Sequence, residues 1–214
     1  IPTMLAGTMG IAGIVEAQRD VWFIVAAPLA ALVYLISSIA ENGRAPFDLM
    51  EGESEIVAGF NIEYGGLAFG MFYVGEFLHA FTVGALFSTL FLGGWRGPGA
   101  EQYPLLGLVY FFLKTIVVWF VTVWIRGSFP RVRIDQLLGL NWKFLTPLAL
   151  LIVAVTAVVD KLAAAQGWNQ ILTLLAANAV MAVAVWGALW LYGRTVQQRE
   201  EKLRAATIAA GTAR

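Results

Sequence analysis

From residue 162 to residue 193 the chain carries no charged side chain, and residues 21–40 form a second uncharged run. About 20 consecutive apolar residues cross the ~30 Å hydrocarbon core of a bilayer as an α-helix. In lipid only helices and closed barrels satisfy every backbone polar group internally. Apolar stretches of this length, residues 21–40 and, after the break at Gly167-Trp168-Asn169, residues 170–192, select the helix. The expected fold is therefore all-α, a polytopic transmembrane helix bundle. Composition agrees: 13% of residues are charged and 59% hydrophobic, against about 25% charged in a soluble domain.

Fourteen Lys and Arg balance fourteen Asp and Glu, so no nucleic-acid partner is expected. Cys is absent, which excludes disulfides, Cys-ligated zinc and iron–sulfur clusters held by this chain. Any redox metal centre would belong to another subunit. The chain begins at Ile1 without an initiator Met or a signal-peptide pattern. It therefore reads as a fragment whose earlier helices are missing.

Five spans are expected, over residues 21–40, 67–92, 105–125, 142–159 and 170–192. Residues 1–20 read as the end of an earlier helix followed by an interfacial segment. Trp22 is placed as an interface anchor, and Pro28 is expected to kink the first span. Residues 41–66 form an acidic loop in which a short helix over residues 51–60 is expected. Residues 126–141 form an Arg-rich loop, and 194–214 a mostly basic tail. Counting Lys and Arg, one side of the membrane collects ten (Arg44, Arg126, Arg131, Arg133, Lys143 and five in the tail). The other collects Arg19, Arg96 and Lys161. The positive-inside rule places the acidic loop, the Arg loop and the tail in the cytoplasm.

The chemistry concentrates in residues 40–66. Glu41, Asp48, Glu51, Glu53, Glu55 and Glu63 stand there against one base, Arg44. Like charges this close do not all ionise cheaply, so they are expected to titrate as a coupled set. The competing reading is a solvated acidic face. Glu76 lies nine residues into its span, about 14 Å down. A bare carboxylate there is costly, so it is expected to be protonated, paired or hydrated, and intramembrane ionisable groups mark proton pathways. His79 lies three residues on, toward the same helical face. Lys114, near the middle of the next span, either pairs with Glu76, serves a separate proton relay, or snorkels. Arg126, Arg131 and Arg133 act either as positive-inside anchors or as counter-charges to the acids or to a bound headgroup.

Three ordered motifs, ENGRAPFDLMEGESEIVAGFNIEYGG, FYVGEF and IRGSFPRVRIDQLLGLNWKFLTPL, resemble the quinone-site membrane subunit of proton-pumping NADH:quinone oxidoreductase, respiratory complex I. The family comprises the H subunit of bacteria and subunit 1 of the mitochondrial complex. The resemblance covers roughly residues 4–159. Asn42-Gly43 and Met50 depart from the family's more usual residues without removing an ionisable group. Residues 170–192 and the tail exceed the commonest form of the family and are similar to an additional helix in some bacterial members.

The resemblance implies a chamber for quinone at the junction with a peripheral arm. Glu41, Glu51, Glu53, Glu55 and Glu76 would couple quinone reduction to proton translocation. Arg44, Phe47, Asp48, Arg126, Arg131 and Arg133 would lie on or near the chamber wall. The chain would bind no cofactor and no metal. FMN and iron–sulfur clusters would reside in partner subunits, and quinone would be the substrate. Other subunits of the complex and membrane lipid would be its partners. The expected location is a bacterial plasma membrane. The nearest alternative is the homologous membrane subunit of an energy-converting hydrogenase or formate hydrogenlyase. A more distant one is a stand-alone ion transporter.

Overall fold

The computed structural model describes the backbone of residues 1–43, 46, 47, 63–100 and 102–212, and the side chains among these through residue 191 and at Arg194. All regular structure among the described residues is helical. In chain order the helices are α1 (Pro2–Ala6), α2 (Ile11–Ala17), α3 (Phe23–Ala26), α4 (Pro28–Glu41), α5 (Gly66–Phe91), α6 (Pro104–Ser128), α7 (Ile134–Gly139), α8 (Thr146–Gln166) and α9 (Gln170–Thr212). A π-helical turn, Leu140–Leu145, joins α7 to α8.

Among the described residues, four helical stretches are long and apolar enough to cross a membrane: Gly66–Phe91, Pro104–Ser128, Ile134–Gln166 and Gln170–Leu191. The first expected span differs from these. Residues 21–40 do not make one helix, because the chain breaks between α3 and α4. Ala27 adopts φ −138° and ψ 64°, and Pro28 opens α4 at its first turn. Proline lacks the N–H that would continue the helix, and its ring clashes with the preceding turn. The 14 residues of α4 reach about 21 Å, short of the hydrocarbon thickness. The expected kink is thus a full interruption, and α4 is a shorter apolar helix than those four.

The 126–141 segment is also more helical than a loop. Arg126 lies in the last turn of α6, and only residues 129–133 separate α6 from α7. Gln136 Oε1 accepts the Arg133 backbone N–H at 3.2 Å, capping the start of α7. The π-helical turn follows from Pro147, which has no N–H to give the carbonyl of Lys143. The chain widens by one residue instead. Asn141 O then accepts both the Thr146 N–H and, at 2.8 Å, the Thr146 hydroxyl.

Helices α5 and α6 form an antiparallel hairpin. Gly84 lets them close: a Cβ there would stand 3.1 Å from the Thr115 carbonyl oxygen. Small residues at such crossings drive helix association in membranes. The hairpin turns at Gly93 and Gly94, with φ of 73° and 50°, a left-handed conformation that favours glycine. The Gly94 N–H returns 2.9 Å to Ser88 O, closing the end of α5. Helices α8 and α9 form a second hairpin through Gly167. Between the hairpins lies an aromatic cluster. Tyr34 of α4 stands 6.0 Å and 5.7 Å from the rings of Phe87 and Phe91. Ala27, Ala30, Ala31, Val118, Leu145, Ile152 and Met181 complete this core.

Gln18, after α2, ties the short N-terminal helices to the α5–α6 turn. It is fully buried. Its Nε2 donates to Thr89 O at 2.9 Å and Ile14 O at 3.2 Å. Its Oε1 accepts the N–H of Gly93 at 3.0 Å and of Phe23 at 3.2 Å. Arg96 adds an ion pair to Glu16 on the same side.

Candidate functional site

One end of the bundle gathers the C-terminus of α4, the first half of α5 and the C-terminus of α6. There a cavity of about 50 Å³ is lined by Ile39 and Asn42 of α4, Glu76, Phe77 and Ala80 of α5, and Trp119, Thr122, Val123 and Arg126 of α6. A carboxyl and a guanidinium therefore face one small chamber from antiparallel helices. Its volume suits a few waters, since one needs roughly 10–15 Å³ by this measure. Glu76 is half-buried. His79 is exposed and is not among the lining residues. The 60° between positions three apart on a helix is enough to turn it out of the chamber.

Glu41 looks the other way. It lines a separate groove of about 490 Å³ between α4 and the α7–α8 helix, with Val33, Ser37, Ala40, Asn141, Leu145, Thr146, Ala149 and Leu150. The groove is mixed in character. Glu41, Asn141 and Thr146 are polar, and Val33, Leu145, Ala149 and Leu150 are apolar. Helix α4 thus stands between the groove holding Glu41 and the cavity holding Glu76.

A backbone bond joins the two loop segments that the sequence separates by more than eighty residues. Val132 N–H donates 2.9 Å to Pro46 O. It sets the turn at Pro46 and buried Phe47 beside the extended segment of Arg131 and Arg133. Of the expected chamber residues, Phe47, Arg131 and Arg133 are gathered here, and Arg126 faces the Glu76 cavity. Arg44, Asp48, Glu51, Glu53 and Glu55, and the short helix expected over 51–60, lie outside the described residues.

Lys114 sits at the opposite end of the α5–α6 hairpin. Its Nζ donates to the carbonyls of Leu92 at 2.7 Å, Gly94 at 3.1 Å and Arg96 at 2.6 Å. The Trp22 ring lies 4.5 Å away. Three donors meet three acceptors. A cation here also complements the negative end of α5. Glu76 and Lys114 have similar depths only when each is measured from the start of its own helix, and antiparallel helices start at opposite faces. Glu76 lies eight residues before the Gly84 crossing, about 12 Å, and Lys114 lies beyond it. Pairing with Glu76 is not the arrangement found.

Two further groups escaped the sequence reading, Gln18 and Asn178. Each is a single neutral amide whose type and spacing carry no local signal. The bonding partners of Gln18 reach 75 residues along the chain. Among the described residues, no group of three or more His, Asp and Glu is placed to hold a metal ion.

A family model described as NADH dehydrogenase matches residues 1–157. The chain belongs to this family. It is 49% identical over 157 residues to an H subunit of the NADH-quinone oxidoreductase of Geobacter metallireducens, covering 73% of this chain and 46% of that protein. It is 51% identical over 156 residues to the H subunit of the Geobacillus kaustophilus NADH-quinone oxidoreductase, covering 73% and 46%. An H subunit of the Rhodopseudomonas palustris strain HaA2 enzyme is 50% identical over 156 residues, covering 73% and 47%. The chain thus spans about half the length of the curated relatives it matches. In this NADH dehydrogenase family member the matched part holds the Glu76–Arg126 cavity, the Glu41 groove and the Lys114 anchor. Helix α9 lies beyond it.

Proposed function

We propose that the chain is part of a membrane subunit of a proton-translocating NADH:quinone oxidoreductase, where it helps to form the quinone chamber and couples quinone reduction to proton movement. The observation that carries this reading is the placement of Glu76 and Arg126 on one cavity in a chain that belongs to the same family as these H subunits. Reduction of a quinone takes two electrons and two protons, so negative charge appears transiently in a place of low dielectric. Carboxylates nearby respond by taking up or releasing protons. Glu76 is the cavity carboxyl able to do so, and Arg126 faces it across the same space. Small polar spaces between helices can carry water and hence protons.

Glu41, Glu51, Glu53 and Glu55 would join Glu76 in this coupling. Arg44, Phe47, Asp48, Arg126, Arg131 and Arg133 would line or approach the chamber. The partly apolar groove beside Glu41 fits a substrate with a long apolar tail and a polar head, and its volume lies in the range of small-molecule sites. Electrons would arrive from partner subunits that hold FMN and iron–sulfur clusters. This chain would bind neither. The protein would sit in a bacterial plasma membrane with residues 41–66, 126–141 and the tail toward the cytoplasm.

Purification of the full-length protein from its native membrane in mild detergent tests this role. Co-purification with an NADH-oxidising flavoprotein and quinone reductase activity is the expected result. Isolation with a nickel–iron hydrogenase, or as a homo-oligomer without redox partners, would contradict it.

A further inference from the structure

The break between α3 and α4 leaves backbone carbonyls without their helical donors. Pro28 has no N–H for Ile24 O, and the non-helical Ala27 (φ −138°, ψ 64°) turns the next donors away from Val25 O and Ala26 O. Ala26, Ala27 and Ala30 are all buried, at a depth where an unsatisfied carbonyl is costly. The donor for Ala26 comes from the far end of the chain. Asn178 of α9 is 1% exposed. Its Nδ2 donates 3.1 Å to Ala26 O and 2.9 Å to Leu174 O on its own helix. Both contacts are to carbonyl oxygens, so the amide must present its NH2 group to them.

The residues around Asn178 show a face built for this contact. Leu174 and Met181 are also buried. With Asn178 they follow the i, i+4, i+7 spacing that aligns side chains on one helical stripe. Asn178 is the only Asn, Gln or charged residue between Gln170 and Arg194. The break and its filler differ in one respect: residues 26–28 lie inside the family match, and Asn178 lies outside it.

We propose that α9 is a built-in brace for the interrupted helix. Asn178 returns to Ala26 the bond that the break at Ala27–Pro28 removes, and so fixes the direction in which α4 leaves the break. That direction sets where Glu41 and Asn42 stand at the other end of α4, beside the Glu41 groove and the Glu76–Arg126 cavity. Asn178 is thus a positioning residue for the proposed quinone chemistry. The effect on turnover rests on that functional reading, whereas the effect on stability does not.

The test uses the full-length protein in its assembled complex, with Asn178→Leu, Asn178→Gln, Pro28→Ala and the Pro28→Ala/Asn178→Leu double. Leucine matches asparagine roughly in size and lacks the donor. Asn178→Leu is expected to lower the midpoint of thermal disassembly in mild detergent by about 2–4 °C. It should also lower quinone reductase turnover per assembled complex while NADH oxidation by an artificial acceptor is unchanged. Asn178→Gln should recover part of both. In the Pro28→Ala background the helix can close, and Ala30 N–H replaces the Asn178 donor. There Asn178→Leu is expected to shift the midpoint by less than half as much. Equal shifts in both backgrounds, or no shift in either, overturn the brace. A lowered midpoint with wild-type quinone turnover overturns the positioning role. Absence of quinone reductase activity from the wild-type complex would overturn the functional reading instead and leave the brace standing on its thermal data.

Discussion

The Lys114 ammonium donates 2.7 Å to the carbonyl of Leu92, the residue that ends α5. With the bonds to Gly94 and Arg96, it pins the turn of the α5–α6 hairpin from the middle of the partner helix. Such charge-assisted bonds contribute about 1.5–3 kcal/mol each when buried, less when part-exposed as here. Lys114→Met should therefore destabilise the assembled protein by about 2 kcal/mol, seen as a lower midpoint of thermal disassembly. The complexes that survive should translocate protons per electron as the wild type does. A normal midpoint with a lost proton-to-electron ratio would make Lys114 a relay instead of an anchor.

Gln18 should be less tolerant still. All four of its bonds are internal and it has no exposed surface. Gln18→Leu would leave Thr89 O and Gly93 N–H without partners, at about 1–3 kcal/mol each. Gln18→Glu would set a carboxylate against two carbonyl oxygens. Both variants are expected to reduce the amount of assembled protein in the membrane, measured by immunoblot of native gels. Normal assembly of Gln18→Glu would show that this knot is not structural.

What the sequence revealed and what it hid follow from the range of each interaction. The apolar stretches of α5, α6 and α8 are legible because length and hydropathy are properties of each residue's own side chain. Pro28 was legible as a perturbation, since its chemistry is local. The donor that repairs the break was not, because Asn178 lies 152 residues away. Arg126 read as part of a loop on charge alone, yet a cation belongs in the last turn of a helix, where α6 holds it. The depth of Glu76 within its apolar stretch is legible in the sequence. Its partner across the cavity, Arg126, could be assigned only once the antiparallel register of α5 and α6 was known.

Topology has a direct check, because the chain contains no native Cys. Gly97 is a poor probe position, since a Cβ there would stand 2.6 Å from the Tyr110 ring. Gln102, just before α6, and Ser128, its last residue, are both exposed. Gln102→Cys should react with an impermeant thiol reagent from outside, and Ser128→Cys only after the cytoplasmic face is opened. Reaction of both from the same side would contradict a membrane-crossing α6.

The acidic set divides two explanations by its pH behaviour. If Glu51 and Glu55 share protons with their neighbours, neutralising either relieves like-charge repulsion. The limb of the quinone reductase pH profile that needs the ionised set should then move to lower pH. The Glu51→Gln/Glu55→Gln double should be non-additive. Unchanged profiles with negligible, additive effects would return these acids to a solvated face.

The most direct measurement concerns Glu76 and the cavity it shares with Arg126. Glu76→Gln and Glu76→Asp are to be compared in complexes assembled to wild-type level. The paired assays are NADH:quinone turnover with proton translocation and NADH oxidation by an artificial acceptor. Glu76→Gln removes the titrating group at constant size, so proton-coupled quinone reduction should fall at least tenfold, about 1.4 kcal/mol in barrier. Glu76→Asp should fall less, and the artificial-acceptor rate should be unchanged in both. Wild-type quinone turnover and proton translocation in assembled Glu76→Gln would contradict a coupling role for this carboxylate.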